Sequence, residues 1–303
     1  MKRKLKNKIQ YSKTLSKFAK IPMFSQYNNT LKLYIDNQNH KDVFSQVELN
    51  KSIGIHLHLY YEDLAQEFCD YLSNIPYPFD LYVSIRKDVS VYKIKRIFNK
   101  IINLNKLEVK KAENCGRDFG PMFVMFANKL KQYDYIMHIH SKKSLRMGEE
   151  QSRWRRYLLN NILGSQERIM KCFYLMENYN IGLVYPDTDI SVPYWAHSWL
   201  DEAALARNLC ERINIKFESN YLEFSAGSMF WAKKEALAPI LDLNLTWEDF
   251  GKDKKQTGGT LEYVFERIPG LVTRKTGYDI AIFNEPKNAF LLNKGTKNLE
   301  TYY

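Results

Sequence analysis

IGIHLHLY, residues 53–60, decides the fold. Ile and Leu alternate there with His56 and His58, Tyr60 closes the run, and no 3.6-residue period passes through it, so it reads as a strand. Reading outward, 62–72 has Leu64, Phe68 and Leu72 at i, i+4 and i+8 and predicts a helix. FDLYVSI at 79–85 predicts a second strand, 91–102 a helix, 107–111 a short strand, 121–132 a helix and YIMHIH at 135–140 a fourth strand. Strands alternating with helices indicate an α/β fold around a mostly parallel sheet. Beyond it, 154–163, 165–178, 200–212 and 259–267 (opened by Thr260) predict helices; 181–185 and the SMFWA run within 223–233 predict strands. With no internal repeat and no Pro/Gly linker, residues 51–303 are expected to form one domain behind a polar arm, 1–50, with some helix.

Composition is that of a globular protein: 303 residues, 45% apolar, 26% charged and 14% aromatic. The longest clean apolar run, 121–127, is far short of the ~20 residues of a membrane-spanning helix. Behind the basic N-terminus no apolar run of signal-peptide type follows. The four cysteines, Cys69, Cys115, Cys172 and Cys210, include no C-x-x-C pair, so neither a zinc module nor a disulfide framework is indicated. These features predict a cytosolic protein.

The net charge of +11 is unevenly placed. Residues 1–35 hold nine Lys/Arg and no acid, whereas the other 268 carry 36 basic and 34 acidic side chains. A nucleic-acid groove would spread positive charge over the body, so no nucleic-acid partner is expected. An arm with Leu5, Ile9, Leu15 and Phe18 among its lysines suits an anionic membrane surface, with simple solubility as the alternative.

Ligands of open α/β sheets bind at the carboxyl ends of the strands. Three polar clusters fall there: His56, His58, Tyr60 and Tyr61; Asn114, Cys115, Gly116, Arg117 and Asp118; and His138, His140, Ser141, Lys142, Lys143 and Ser144. In each H-x-H pair both rings share a strand face. Metal ligation by the pairs is one reading, and a core role for the earlier His of each is the stronger one; His140, at the strand end, is expected to contact ligand. Lys142, Lys143 and Arg146 suit a diphosphate, or are ordinary surface cations. Gly116 allows close backbone approach, and Arg117 suits bidentate capture of a carboxylate or phosphate. Asp118 suits a sugar hydroxyl or Arg117 itself.

Five blocks now carry a resemblance. IGIHLHLYYEDL with IPYPFDLYVSI, NCGRDFGP, YDYIMHIHSKKS, FSAGSMFWAKKEAL and GGTLEYVFERI stand in the order and spacing of the rhamnan synthesis F family, over residues 53 to 270. The resemblance implies a GT-A-like glycosyltransferase of bacterial surface polysaccharide synthesis. It would move a sugar, most plausibly rhamnose, from a nucleotide-diphosphate donor to a glycan or lipid-linked glycan, at the inner face of the cell membrane. A UDP-hexose donor, or a non-catalytic sugar- or nucleotide-binding role, are the alternatives.

On this reading His58 and Tyr60 lie at the base; Asn114, Gly116, Arg117 and Asp118 at the ribose and donor sugar; His138, His140, Lys142 and Lys143 at the diphosphate; Gly227 and Trp231 at the acceptor. Where many GT-A enzymes carry a metal-binding Asp-x-Asp, this chain has His138-Ile139-His140, so no divalent metal is expected. Asp187-Thr188-Asp189 is a second Asp-x-Asp, read as a turn between Pro186 and Pro193. Gly258 replaces an Asp of the family pattern, which leaves Asp253, Asp249 and Glu248 as candidates for the base of an inverting transfer.

Overall fold

A computed structural model describes residues 32–35, 49–141, 143, 152–189, 192, 196–219, 222–251 and 259–283. Eight strands form one sheet: β1 (Lys32–Ile35), β2 (Ile53–Leu59), β3 (Phe79–Ile85), β4 (Leu104–Lys111), β5 (Tyr135–His140), β6 (Ile181–Pro186), β7 (Phe230–Lys233) and β8 (Asp279–Phe283). Their order is β1-β8-β6-β7-β5-β2-β3-β4. All neighbours run parallel except β7, which is antiparallel to both β5 and β6.

Every residue of β2 is buried, as expected of a central strand covered on both faces. Side-chain alternation splits the sheet into two apolar layers. Ile55, Leu57, Leu81, Val83, Met137 and Ile139 face α1 (Ala65–Leu72), α2 (Val91–Phe98), α4 (Ser152–Leu163) and α5 (Gln166–Asn178). Tyr82, Ile136, Leu183 and Ile280 face a π-helical turn (Pro121–Phe126), α3 (Ala127–Leu130), α6 (Ala203–Arg212), α7 (Lys234–Leu241) and α8 (Leu261–Lys275). The bidentate contact of buried Arg155 with Glu67, at 3.1 and 3.0 Å, ties α4 to α1.

Several boundaries differ from the sequence reading, each for a physical reason. The predicted helix at 91–102 stops at Phe98 with Asn99 as its C-cap, and β4 starts at Leu104 rather than 107, because Phe79 pairs with Leu104. The predicted helix at 259–267 runs on to Lys275, through Pro269, which is buried in the helix. The stretch at 121–132 divides into the π turn and one short α-helical turn. β8 and α7 had no counterpart in the reading. Nor did β1, a sheet strand inside the stretch read as an arm; the rest of 1–48 lies outside the described residues.

Candidate functional site

Register and parity build the site. β2 pairs with β5 so that His56 lies beside His138 and His58 beside His140, while β3 sets Ser84 beside His58. All five side chains stand on one face, the even-numbered one, where their apolar neighbours are Phe119 and Phe126. Four hydrogen bonds join four of them, with Asp118, in a line. His138 Nε2 is 2.9 Å from Asp118 Oδ2, His138 Nδ1 is 3.0 Å from His56 Nδ1, His56 Nε2 is 3.0 Å from Ser84 Oγ, and Ser84 Oγ is 2.8 Å from His58 Nδ1. His140 lies 4.0 Å from Asp118 and donates or accepts at Nε2, 2.8 Å from the Gly227 carbonyl; an acceptor there makes it the donor.

Electrostatics follow from this packing. Burial and the neighbouring His138 hold His56 well below the ordinary imidazole value. Burial also pushes His58 down to about 4, against the pull of Asp118. Burial alone would raise Asp118, yet the His140 and His138 imidazoles outweigh it and hold the carboxyl well below its usual range.

The loop after β4 brings Asp118 here. Gly116 and Arg117 are both left-handed, with φ of 66° and 50°, and the Gly120 amide donates to the Gly116 carbonyl at 2.7 Å. Gly116 is required sterically as well: a Cβ would stand 2.6 Å from the Phe250 ring. Arg117 lies over the Tyr263 ring at 4.1 Å and bonds its hydroxyl.

Tyr263 belongs to α8, whose first turn lies at the carboxyl edge of the sheet because the helix leads back to the start of β8 at the other edge. Glu262 and Glu266 occupy one face of this helix at i, i+4. The Gly227 amide donates to Glu266 Oε1 at 3.3 Å, so α8 is one residue removed from His140. Glu202, in the short turn before α6, accepts from the Gly259 amide at 2.9 Å. Glu202 and Glu262 are buried, and among the described residues Glu202 Oε2, Glu262 Oε2 and Thr260 Oγ1 have no hydrogen-bond partner. Buried, unmatched acceptors of this kind are costly unless a ligand supplies donors.

The structure therefore brings His58, His138, His140, Asp118, Gly116, Arg117 and Gly227 together. Tyr60 flanks them, with Arg86 5.2 Å above its ring, and Asn114 is exposed on the loop. Other expected site residues are placed elsewhere or otherwise engaged. Trp231 pairs with Met137 across the ladder and so shares the opposite face, fully buried, where its Nε1 donates to the Ile162 carbonyl at 3.1 Å. Asp249 caps the turn Trp247–Phe250, accepting from the Thr246 amide at 2.8 Å and hydroxyl at 3.0 Å, and these bonds hold its carboxyl low; Glu248 is exposed beside it. The Lys143 ammonium is 2.5 Å from Asp63 and 4.9 Å from the Tyr61 ring centre. Asp253, Gly258, Lys142, Ser144 and Arg146 lie outside the described residues.

Sequence reasoning missed Ser84, Glu202, Glu262, Tyr263 and Glu266. The i, i+4 acids on either side of the Tyr263-Val264-Phe265 stretch were the available signal for two of them. At the position where the resemblance suggests a metal-binding pair, both nitrogens of His138 are engaged by His56 and Asp118. His138 therefore has no ring nitrogen free for an ion. At the second Asp-x-Asp, Asp189 is buried with Oδ1 3.0 Å from Arg153, and the Asp187 amide donates to Phe283. Among the described residues no group of three or more His, Cys, Asp or Glu is placed to hold a metal. No helix among them is long and apolar enough to cross a membrane.

With this geometry in hand, comparison with known proteins gives three findings. The sequence model of the family described as Rhamnan synthesis protein F matches residues 4–278. WxcX of two strains of Xanthomonas campestris pv. campestris, itself uncharacterised, is 29% identical over 243 residues, 79% of this chain and 34% of the relative. The chain thus spans about a third of the length of these curated relatives. Among solved structures, S. aureus TarS 1–349 is 11% identical, with 76% of this chain and 57% of that one covered, at a TM-score of 0.43. A Desulfovibrio desulfuricans G20 protein described as a nucleotide-diphospho-sugar transferase is 11% identical, with 81% and 88% covered, at a TM-score of 0.34.

Proposed function

The chain belongs to the rhamnan synthesis protein F family, and on that premise we propose that it is a nucleotide-sugar glycosyltransferase of polysaccharide synthesis. One observation carries the reading: the His58–Ser84–His56–His138–Asp118 line, the Gly116–Arg117 turn and the first turn of α8 meet at the carboxyl edge of one sheet. The donor is a nucleotide-diphosphate sugar, most plausibly rhamnosyl, and the acceptor a glycan or lipid-linked glycan. Arg117, left-handed at the tip of its loop and clamped by Tyr263, is the cation we assign to the diphosphate. No divalent ion is required on this reading, because His138 is already committed on both sides.

The base we assign is Glu262. It is buried, has an oxygen with no partner, and begins the helix that Glu266 ties to Gly227. In an inverting transfer its carboxylate takes the proton from the acceptor hydroxyl while the nucleotide diphosphate departs. Glu202, beside it through Gly259, accepts from a second acceptor hydroxyl. The test is a thermal-shift panel of nucleotide sugars run with a chelator and again with magnesium or manganese, followed by a transfer assay on whichever donor binds. Stabilisation by a donor in the chelator arm, with transfer lost in Glu262→Gln, supports the reading. A panel in which no donor binds overturns the function, and binding only with metal overturns the metal-free mechanism.

A further inference from the structure

The line of hydrogen bonds from Asp118 to His58 has a direction that follows from valence once the number of ring hydrogens on His138 is given. Asp118, ionised, can only accept, so His138 Nε2 carries a hydrogen and donates to it. If that is the only ring hydrogen of His138, its Nδ1 offers a lone pair, and His56 must donate from its own Nδ1. His56 Nε2 is consequently an acceptor, and the one hydrogen of the Ser84 hydroxyl goes to it. Having spent that hydrogen, Ser84 can only accept from His58, which places the His58 proton on Nδ1. What remains is a bare lone pair at His58 Nε2.

Among the described residues that nitrogen has no hydrogen-bond partner, and it is not among the sealed buried polar atoms; it belongs to a residue at the carboxyl end of β2 whose titratable neighbours are Asp118, His140, His138, His56 and Tyr60. We propose that His58 is a specificity-determining residue whose Nε2 accepts a hydrogen bond from an N–H or O–H of the bound ligand, with Ser84 and His56 as positioning residues that hold it in this state. The ligand group is a nucleobase N–H or a sugar hydroxyl. A phosphate oxygen, itself an acceptor, is refused there. The identity of the ligand rests on the proposed glycosyltransferase reading; the state of the ring does not.

The same line also has an opposite polarity. One added proton, on His138, would reverse every bond: His138 Nδ1 would donate to His56, His56 Nε2 to Ser84, Ser84 to His58 Nδ1, and His58 would expose Nε2–H. The two states are therefore distinguishable at a single atom, and they select opposite ligand groups.

The experiment is long-range proton–nitrogen correlation NMR on the full chain labelled with 15N-histidine, at neutral pH. His58 is expected as the Nδ1–H form with an unprotonated Nε2, and His138 as the Nε2–H form. In Ser84→Ala the His58 preference is lost while His138 keeps its own, and affinity for whichever nucleotide sugar binds the wild type falls about fivefold, the scale of one hydrogen bond; Ser84→Thr restores both. A protonated His58 Nε2 in the wild-type spectrum overturns the proposal, as does an unchanged His58 in Ser84→Ala. If Ser84→Ala does not fold, the wild-type spectrum decides alone. If no nucleotide sugar binds the wild type, the glycosyltransferase reading fails and the spectrum still decides the state of His58.

Discussion

His56 and His138 stack across two parallel strands, their Nδ1 atoms 3.0 Å apart and their rings inclined by 13°. A pair this close and this dry cannot hold two positive charges, so at least one ring stays neutral. Between them they pass the influence of Asp118 from one side of the sheet's polar file to the other.

Acid should therefore destabilise this fold in a defined window. His58 has an ordinary value of 6.5 and a folded value of about 4, so between those pH values the unfolded chain binds more protons than the folded one. Its contribution is complete above about pH 6.5 and is lost as pH falls towards 4; the size of the shift corresponds to about 3 kcal/mol. His56, lowered further, acts with the same sign, and Asp118 adds a loss at still lower pH because its folded value is also depressed. Urea unfolding from pH 7.5 to 4 should show stability falling through this window, with a flatter limb in His58→Asn. Constant stability across the range would contradict the buried cluster.

Gly116→Ala should be destabilising by roughly 2–4 kcal/mol, since it combines a left-handed backbone with an overpacked contact. The φ of 66° and the Phe250 ring 2.6 Å from the new Cβ are the causes. Chemical denaturation measures the loss, and a variant as stable as wild type would mean the turn is not held in this conformation.

Two carboxylates close in sequence to one another should behave oppositely. Asp249→Ala removes the side-chain half of a capping box, the carboxylate that accepts from the Thr246 amide, and should cost about 1 kcal/mol of stability. Glu262→Gln should leave the melting temperature near or above wild type, because it replaces a buried carboxylate whose Oε2 has no partner, and should abolish transfer. Full transfer activity in Glu262→Gln would return the base to the acids between 248 and 253.

The basic N-terminal stretch is expected to bind anionic membranes. Removing 1–31, rather than the 1–35 that charge alone would suggest, leaves β1 intact while deleting eight of the nine cations. Binding to phosphatidylserine vesicles should weaken, most visibly at low salt. Equal binding by both chains would remove the membrane role.

The first half of the fold was legible because its strands carry their own signal. FDLYVSI and YIMHIH were bounded to the residue, and alternation put the two rings of each H-x-H pair on one strand face before any register was known. What sequence could not supply was which face a short strand presents inside an antiparallel step. FWAK sets Phe230 towards His138 and Trp231 away from it, and only the pairing of Trp231 with Met137 decides this. Ser84 was hidden for another reason: one Ser near the end of an apolar run looks like a strand ending. Asp249 was recoverable, since Thr246 and Asp249 stand at the spacing of a capping box.

The edge of the sheet sets an order of assembly. Among the described residues β1 has a single partner, β8, with Lys32 beside Ile280, so β1 pairs with a strand made almost 250 residues later. A growing chain can build β2 to β5 from contacts already in hand, but it must hold β1 unpaired until β8 leaves the ribosome. Closing so long a loop costs little more than closing a shorter one, and the delay is one of time rather than stability. Through that interval β1 is a free strand edge that follows a cationic stretch in the chain, and like charge beside a strand edge opposes edge-to-edge pairing.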